Sequence, residues 1–290
     1  MSMQETIAML GAGGTMGGPM ARNLASSGCS VRAWNRSAEK VQALADDGVE
    51  LCATPAEAAT GATVILTMLS DADAVLDVMD GPSGALEGSD AGAVWLQMST
   101  IGIDATDRCA ELAERHGLRF VDAPVLGTKQ PAERGELVIL ASGPEDLRER
   151  LAPIFDAVGK RTLWLGAAGA ATRLKVAVNA WILTVVEGAA ETLALAEGLG
   201  LDPSLVLDAV SGGPLDLPYL QMKGKAMIER NFEPSFRLAL AAKDAALVEE
   251  AATRYGLDLP LVETIRRRLE AGAREHGDED VAATFLTAAP

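Results

Sequence analysis

Cysteine and histidine, the side chains that most often hold structural metals, are scarce in this sequence of 290 residues. The three cysteines, Cys29, Cys52 and Cys109, are far apart and odd in number, which predicts neither a disulfide framework nor a metal site. Unpaired cysteines are typical of a reducing compartment, so we expect a cytoplasmic protein. The two histidines, His116 and His276, lie beside charged residues, and we interpret both as structural or solvated rather than catalytic.

Long apolar runs and positive charge are also scarce. No uncharged stretch in the second half is longer than the one at residues 176–186, whereas a membrane helix needs roughly 18 residues. No positive segment followed by an apolar run stands at the N-terminus, so we expect no signal peptide. A formal net charge of −16 disfavours binding to nucleic acid and to anionic membranes. An anionic ligand would therefore need local positive charge, and only seven of the 25 basic residues are lysines.

The first half of the chain alternates short apolar runs with helical patterns. Hydrophobic residues make up 49% and charged residues 23%, the composition of a globular protein with a sizeable core. Strands are predicted at residues 7–10, 30–34, 49–52, 64–68, 94–97, 119–121 and 137–141, and helices at 21–26, 38–44, 72–79 and 106–116. A capping box at Thr54-Pro55-Ala56-Glu57 predicts a further short helix. This alternation predicts a mostly parallel sheet with helices on both faces.

After Leu165 the pattern is helical throughout. Residues 170–199 read as one helix, about 45 Å long at ~1.5 Å per residue. Its apolar residues lie on more than one face, so we expect it to be buried between subunits of a homodimer or higher homo-oligomer. Further helices begin near Pro203, Pro234 and Pro260. The sequence thus predicts an α/β domain at residues 1–165 and an all-α substrate and dimerisation domain, with one long central helix, at residues 166–290.

A glycine-rich turn follows the first predicted strand and opens directly into a helical pattern. Glycines allow a sharp turn and a close approach of the backbone to a pyrophosphate, while the helix start supplies N–H groups and a positive dipole end. The alternative is a plain tight turn, but the place after the first strand of an alternating pattern favours dinucleotide binding. The residues that we predict to contact the dinucleotide are Gly11, Gly13, Gly14, Thr15 and Met16.

The second predicted strand ends in Asn35-Arg36-Ser37, without the carboxylate that NAD-preferring sites have here. A carboxylate accepts hydrogen bonds from the ribose 2′-hydroxyl, whereas an arginine pairs with a 2′-phosphate. This turn offers an amide, a guanidinium and a hydroxyl, so it predicts NADP(H) as the cofactor. The alternative interpretation is an ordinary exposed arginine on a turn.

Further motifs resemble the β-hydroxyacid dehydrogenase family, which includes 3-hydroxyisobutyrate dehydrogenases and glyoxylate/succinic semialdehyde reductases. The resemblance covers nearly the whole chain. Its segments are residues 17–24, the turn 35–37, Thr67-Met68-Leu69-Ser70-Asp71, Met98-Ser99-Thr100, residues 122–133, residues 166–179 and Lys243-Asp244. The tail Lys129-Gln130-Pro131-Ala132-Glu133 is most similar to the glyoxylate/succinic semialdehyde reductase branch.

The resemblance implies a Rossmann-type dinucleotide-binding domain followed by an all-α domain, and it implies roles for individual residues. The implied cofactor contacts are Met68, Leu69, Thr100 and Lys243. The implied substrate contacts are Leu126, Gly127, Thr128, Lys175 and Asn179, the last two being catalytic. The chain departs from the family pattern in three places. The glycine turn is one residue longer than usual, Leu126-Gly127-Thr128 replaces the usual Ser-Gly-Gly, and Val178-Asn179 replaces the usual Asn-Asn pair.

Lys175 is the residue that we expect to carry the proton. Carbonyl reduction needs a hydride at carbon, which a nicotinamide supplies, and a proton at oxygen, which a positioned acid supplies. Lys175 lies early in the long apolar helix, and Asn179 is four residues further along the same face. A snorkelling lysine is the alternative interpretation. We predict an NADP-dependent oxidoreductase that interconverts a small aldehyde or semialdehyde and the corresponding hydroxy acid.

Two other functions stay open. Related imine reductases share the fold and NADPH but usually lack a lysine at this position, so Lys175 argues against imine reduction. A catalytically inert scaffold on the same fold would be expected to lose Lys175 while it keeps the glycines. A phosphogluconate-type dehydrogenase generally needs a longer helical domain than residues 166–290 provide.

Overall fold

The computed structural model describes residues 5–288. The strands in that range are β1 Thr6–Leu10, β2 Ser30–Trp34, β3 Glu50–Leu51, β4 Val64–Thr67, β5 Val94–Gln97, β6 Arg119–Asp122, β7 Val125–Leu126, β8 Leu137–Ala141 and β9 Gly159–Trp164. The α-helices are α1 Gly17–Ser26, α2 Pro55–Ala59, α3 Ala72–Asp80, α4 Ala85–Gly88, α5 Ile103–Arg115, α6 Lys129–Glu133, α7 Arg148–Val158, α8 Ala170–Gly198, α9 Ser204–Val210, α10 Pro218–Ile228, α11 Leu238–Arg254 and α12 Pro260–His276. 3-10 helices cover Ala38–Asp47, Glu145–Leu147 and Val281–Thr287.

Six strands form one fully parallel sheet in the order β3-β2-β1-β4-β5-β6. Every residue of β4 and β5 is buried, which explains their unbroken apolar runs, since helices cover both faces of such a sheet. The strand order changes direction at β1, and a crevice at the carboxyl ends of the strands is characteristic of that switch point. The predicted Rossmann-type sheet is confirmed.

A second, smaller sheet has the order β7-β8-β9, with β7 antiparallel and β9 parallel to β8. The strand predicted at residues 137–141 is confirmed but belongs to this sheet. No pattern in the sequence predicted β7, α7 or β9. Pro153 lies inside α7, and the first half of β9 exposes Lys160 and Arg161, so neither element shows a regular apolar period.

The chain divides into two compact units between Lys175 and Val176, inside helix α8. This helix runs from Ala170 to Gly198, which confirms the long helix predicted at residues 170–199. Its first turns therefore belong to the first unit and the rest to the second, and the predicted boundary at residue 165 lies before the helix begins. Between residues 176 and 288 the second unit contains helices and no strand, as predicted.

Helix α8 is the one α-helix among residues 5–288 that could cross a membrane by length and composition. Its most apolar window of 18 residues has a mean hydropathy of 1.3, and 44% of that window is buried. The core helix of a soluble protein meets the same criterion. Trp181, Leu195 and Leu199 stay 59%, 62% and 67% exposed, so the expected burial on all sides is not reached within one copy of the chain.

Candidate active site

The carboxyl ends of four parallel strands bring the predicted cofactor segments to one edge of the large sheet. The last residues of β1, β4, β5 and β6 are Leu10, Thr67, Gln97 and Asp122, and they pair in register across the sheet. The segments that follow them, residues 11–17, 68–69, 98–100 and 123–128, leave the sheet at this edge. Ligands of open α/β sheets bind here.

The glycine-rich turn has no room for side chains at its two ends. Gly11 has a φ of +95°, and a Cβ there would collide with the Met68 carbonyl oxygen. A Cβ at Gly17 would collide with the Gly11 carbonyl oxygen, so α1 begins tightly against the turn. Within residues 5–288, the backbone N–H groups of Thr15 and Met16 donate to no acceptor, and α1 has no side-chain cap. Unused N–H donors at a helix start fit a bound pyrophosphate.

Asn35 connects this turn to the turn that follows β2. Its Oδ1 accepts a hydrogen bond from the Gly13 N–H at 3.1 Å, and its Nδ2 donates to the Ser37 carbonyl oxygen at 2.9 Å. A Cβ at Gly13 would come within 2.6 Å of the Asn35 side chain, so the glycine is needed for this contact. The Asn35 amide, which the sequence suggested as a cofactor ligand, holds the two predicted cofactor turns together.

Arg36 supplies positive charge at the same turn. Its side chain is exposed and forms no ion pair within residues 5–288, whereas the nearby Arg32 lies 3.2 Å from the Glu50 carboxylate. Ser37 precedes a 3-10 helix and makes no side-chain capping bond. The guanidinium and the hydroxyl are therefore not committed to other groups of the described chain.

The segments after β4 and β5 are fixed by two buried polar residues. The Leu69 N–H donates to Ser99 Oγ at 2.9 Å. Gln97 in turn accepts from the Ser99 N–H at 2.7 Å and donates to the Ser99 carbonyl oxygen at 2.8 Å. These bonds hold the segment of Thr100 beside that of Leu69. Met68, Leu69 and Thr100 were predicted from the sequence, whereas the roles of Gln97 and Ser99 were not. The signal that could have identified them is an amide at the end of an apolar strand with a hydroxyl two residues later.

The predicted substrate segment follows β6. Gly127 has a φ of +128°, and a Cβ there would lie 2.8 Å from Leu137 Cδ2, so the position requires glycine. Leu126 is half-buried and pairs with Val138 in the small sheet. The half-buried Thr128 hydroxyl forms no hydrogen bond within residues 5–288. This segment thus offers a backbone N–H and a free hydroxyl, with an apolar side chain next to them.

Lys175 is 9% exposed, one turn beyond the start of α8. That start is held by side chains from distant parts of the first unit. The Thr172 N–H and hydroxyl donate to Asp122 Oδ2 and Oδ1 at 2.8 and 2.7 Å, and the Ala171 N–H donates to Ser142 Oγ at 3.0 Å. Asp122 is fully buried, and burial raises the pKa of its carboxyl to about 6. These roles of Asp122 and Ser142 were not predicted from the sequence.

In the second unit, Asn179 and Lys243 meet at the buried carboxylate of Asp244. Asn179 Nδ2 donates to Asp244 Oδ2 at 3.0 Å. Lys243 Nζ lies 2.9 Å from Asp244 Oδ1, as an ion pair rather than a well-aligned hydrogen bond. The structure therefore brings together two predicted site residues, from α8 and α11. Asp244 was part of the recognised Lys243-Asp244 motif, but its bridging role was not predicted.

Two sequence profiles match the chain. One, described as the NAD binding domain of 6-phosphogluconate dehydrogenase, matches residues 6–166. The other, described as NAD-binding of NADP-dependent 3-hydroxyisobutyrate dehydrogenase, matches residues 169–287. Together they cover both units, and the first includes the glycine turn, the sheet and the substrate segment.

Individual proteins similar to this chain belong to the same families as these profiles. The chain is 32% identical over 274 residues to glyoxylate/succinic semialdehyde reductase 2 of Arabidopsis thaliana, covering 94% of this chain and 76% of that protein. It is 34% identical over 248 residues to glyoxylate/succinic semialdehyde reductase 1 of the same plant, covering 86% of each. The solved structure of 3-hydroxyisobutyrate dehydrogenase from Mycobacterium tuberculosis with L-serine has a TM-score of 0.88 and 28% identity, covering 98% of this chain and 99% of that one.

The parallel sheet, the glycine turn with its open helix start and the helical second unit define an oxidoreductase that binds a nicotinamide dinucleotide. More specifically, the chain belongs to the β-hydroxyacid dehydrogenase family, in the branch that includes the glyoxylate/succinic semialdehyde reductases. The family and the fold predicted from the sequence are confirmed.

Proposed function

We propose that this protein is an NADP(H)-dependent oxidoreductase that interconverts a small aldehyde or semialdehyde and the corresponding hydroxy acid, with Lys175 as proton donor and acceptor. The observation that carries the proposal is a buried lysine on the long helix of a chain from this family. Burying an ammonium group costs free energy, and a lysine that serves only solubility would stay in water. A lysine retained in that setting is therefore a good candidate for a proton-transfer group.

Each side chain of the proposed site would have its own role in the reaction. The glycine turn and the turn after β2 would hold a nicotinamide dinucleotide, whose chemistry would be the supply of a hydride. As an ammonium, Lys175 would donate a proton to the developing alkoxide, and as a neutral amine it would accept the hydroxyl proton in the reverse direction. Asn179 donates its amide to Asp244, which leaves its Oδ1 free to orient the substrate or the lysine. The Gly127 N–H and the Thr128 hydroxyl would hold the carboxylate of the substrate.

The preference for NADP(H) rests on the turn after β2. The exposed Arg36 guanidinium can form a bidentate pair with a 2′-phosphate, and the Ser37 hydroxyl can add a hydrogen bond. Asn35 supports this by fixing the arginine turn to the glycine turn, so both would contact one dinucleotide. Because the whole chain is acidic, this local positive charge matters more than it would in a basic protein.

The proposal is tested by turnover measurements on the purified protein. The panel contains glyoxylate, succinic semialdehyde, longer apolar aldehydes and a cyclic imine, each with NADPH and with NADH. We expect reduction of at least one aldehyde, with a higher kcat/KM for NADPH than for NADH. Reduction of the imine alone would favour an imine reductase. Binding of NADPH without turnover of any aldehyde or oxidation of any hydroxy acid would favour an inert scaffold, and either result would contradict the proposal.

A further inference from the structure

The first turn of α8 is capped by side chains that lie far away in sequence. The N–H groups of Ala170 and Arg173 bond to the backbone of the preceding loop, at Ala167 and Gly169. The N–H groups of Ala171 and Thr172, in contrast, donate to Ser142 Oγ and to Asp122 Oδ2. Helix starts are usually capped by the residue just before the helix. Here the capping groups come from β6 and from the residue after β8, so the helix start is fixed to both sheets.

The Asp122 carboxylate accepts hydrogen bonds on both oxygens. Two donors belong to Thr172, and the third is the Ser142 hydroxyl, 3.3 Å from Oδ2. The Thr172 hydroxyl also lies 3.2 Å from the Thr106 hydroxyl of α5. The backbone and the side chain of one residue are thus held by one carboxylate. Such a two-point attachment fixes both the axial position of the helix and its rotation about its axis.

Capping the start of α8 does not require a charged side chain at position 122. An asparagine of the same shape could accept from the Thr172 N–H and donate to the Thr172 hydroxyl, without placing a charge in the interior. Burial is the largest influence on the carboxyl and raises its pKa to about 6, so the ionised form lowers the stability of the folded protein at neutral pH. A purely structural cap would be better served by the neutral residue.

The ionised carboxylate makes charge-assisted hydrogen bonds, which are roughly twice as strong as neutral ones. Its bonds hold the turn that immediately precedes Lys175, and a shift of about 1 Å in a catalytic group can cost roughly a hundredfold in rate. The geometry points to Asp122 as a positioning residue: acting through Thr172, its ionised carboxylate fixes the turn of α8 that carries Lys175. This inference rests on the proposed role of Lys175.

The inference predicts a pH dependence that originates at Asp122. Protonation of Oδ1 makes that oxygen a donor, so the Thr172 hydroxyl has to accept rather than donate, and the charge-assisted bonds are lost. Two charged or titratable groups interact with the Asp122 carboxyl. Arg173 on α8 lowers the pKa of Asp122. The Cys109 thiol on α5 is the second, and Asp122 helps to raise the pKa of that thiol. Gln97, beside it in the sheet, is neutral. We expect kcat to fall as the pH falls through 6, with an unchanged KM for NADPH.

The test compares Asp122→Asn, Thr172→Ser and Thr172→Val in the full-length protein. Asp122→Asn mimics the protonated state, so at pH 8 we expect kcat to fall about tenfold or more, with no acid limb between pH 5 and 7. Its Tm at pH 8 should equal or exceed the wild-type value, because the buried charge is gone.

The two Thr172 variants test the hydroxyl donor. Thr172→Ser keeps both donors and should retain most of kcat, whereas Thr172→Val keeps only the backbone donor and should lower kcat. Asp146→Asn, which removes an exposed carboxylate paired with Arg119, is the matched control.

Two results would overturn the inference. One is an Asp122→Asn enzyme with wild-type kcat and an unchanged acid limb. The other is a loss of kcat that parallels a loss of Tm, which is the behaviour of an ordinary structural cap. If Asp122→Asn does not fold, equal kcat values for Thr172→Ser and Thr172→Val would overturn it as well. An active Lys175→Ala enzyme would refute the proposed function itself, so the two failures are distinguishable.

Discussion

Arg36 is the exposed positive charge at the turn after β2, beside the bridge that Asn35 makes to Gly13. Arg36→Ala should raise the KM for NADPH at least tenfold and change kcat little, because the lost contact lies far from the reacting carbon. The KM for NADH, which has no 2′-phosphate, should stay the same. Steady-state kinetics with both cofactors measure the effect.

Arg148→Ala is the matched control for Arg36, since it removes an exposed arginine that is paired with Glu145 at the start of α7. It should leave the KM values for both cofactors unchanged. An equal rise in the KM for NADPH with Arg148→Ala would mean that net charge, rather than a specific phosphate contact, determines the affinity.

Leu126 stands in the proposed substrate segment at the position where the family pattern has a serine. A leucine side chain donates no hydrogen bond, so the substrate carboxylate would depend on Gly127, Thr128 and Asn179. The smallest acids should then lose the most binding free energy. We expect poor turnover of glyoxylate and a higher kcat/KM for a longer or less polar aldehyde. Leu126→Ser should shift the ratio of the two kcat/KM values towards glyoxylate by about 1–3 kcal/mol, the range for one hydrogen-bonding group. If glyoxylate is already the best substrate and the ratio does not change, Leu126 does not contact the substrate.

The residues that we propose as ligand contacts were easier to predict from the sequence than the residues that hold their segments in place. Glycines, Arg36 and Lys175 stand out because each is unusual in its local pattern. Asp122 and Asp244 do not, since their partners lie 50 and 65 residues away in the chain, at Thr172 and Asn179. Only the packing of the strands and helices brings these donors and acceptors together.

At the scale of elements, the second unit contains a buried ion pair that joins α10 to the C-terminal 3-10 helix. Lys223 Nζ lies 2.7 Å from Asp280 Oδ1, and both side chains are buried. Ser235, Phe236 and Ala282 also donate backbone N–H groups to this carboxylate. Lys223→Met should lower the free energy of unfolding by about 3–5 kcal/mol, because it leaves a buried charge without its partner. Chemical denaturation measures the change.

The control for Lys223 is Lys225→Met on the same helix, where the lysine is exposed and lies 3.6 Å from Glu229. It should change the free energy of unfolding by less than about 1 kcal/mol.

The pH dependence of the free energy of unfolding provides a second check on the Lys223–Asp280 pair. Burial would raise the pKa of Asp280, but Lys223 and the backbone donors outweigh it and lower that pKa. The stability from this pair is therefore present above about pH 4 and is lost on further acidification, and a Lys223→Met protein should show less of this loss. Equal losses in both proteins would contradict this.

Strands and helices were predictable where one hydrophobic pattern extends over the whole segment. The buried strands β1, β4 and β5 and the helix α8 follow from apolar runs of the right length, and the boundaries of α8 agree to within one residue of the prediction. The two-residue strand β7 is too short to show a period. In β9 the exposed Lys160 and Arg161 hide the alternation. The small sheet is therefore determined by tertiary pairing rather than by local sequence.

At the scale of the whole molecule, α8 presents an apolar stripe along one side in the second unit. Trp181, Gly188 and Leu195 follow at intervals of two helical turns, with the exposed Thr192 between the last two, and the exposed Leu199 lies just after the helix ends. Large exposed apolar surfaces on soluble proteins usually mark association sites. We expect a homodimer or higher homo-oligomer that buries this stripe, with a molar mass at micromolar concentration of at least twice the 30.1 kDa of one chain.

Light scattering of the wild type and of a Leu195→Glu variant tests this expectation. The variant places a charge in the middle of the stripe and should shift the protein towards monomer. Leu257→Glu, in the exposed loop between α11 and α12, is the control and should leave the mass unchanged. A wild-type protein that is a stable monomer at micromolar concentration would show that the stripe has another role.

The central claim is that Lys175 transfers the proton, and one comparison tests it most directly. The kcat of the wild type and of Lys175→Ala is measured at saturating NADPH with the best aldehyde, and NADPH affinity is measured by fluorescence titration. Lys225→Ala serves as the lysine control. We predict that Lys175→Ala lowers kcat by roughly 10²- to 10⁴-fold while the Kd for NADPH stays nearly unchanged. A Lys175→Ala enzyme that keeps more than about a tenth of the wild-type kcat would contradict the general acid role and the account built on it.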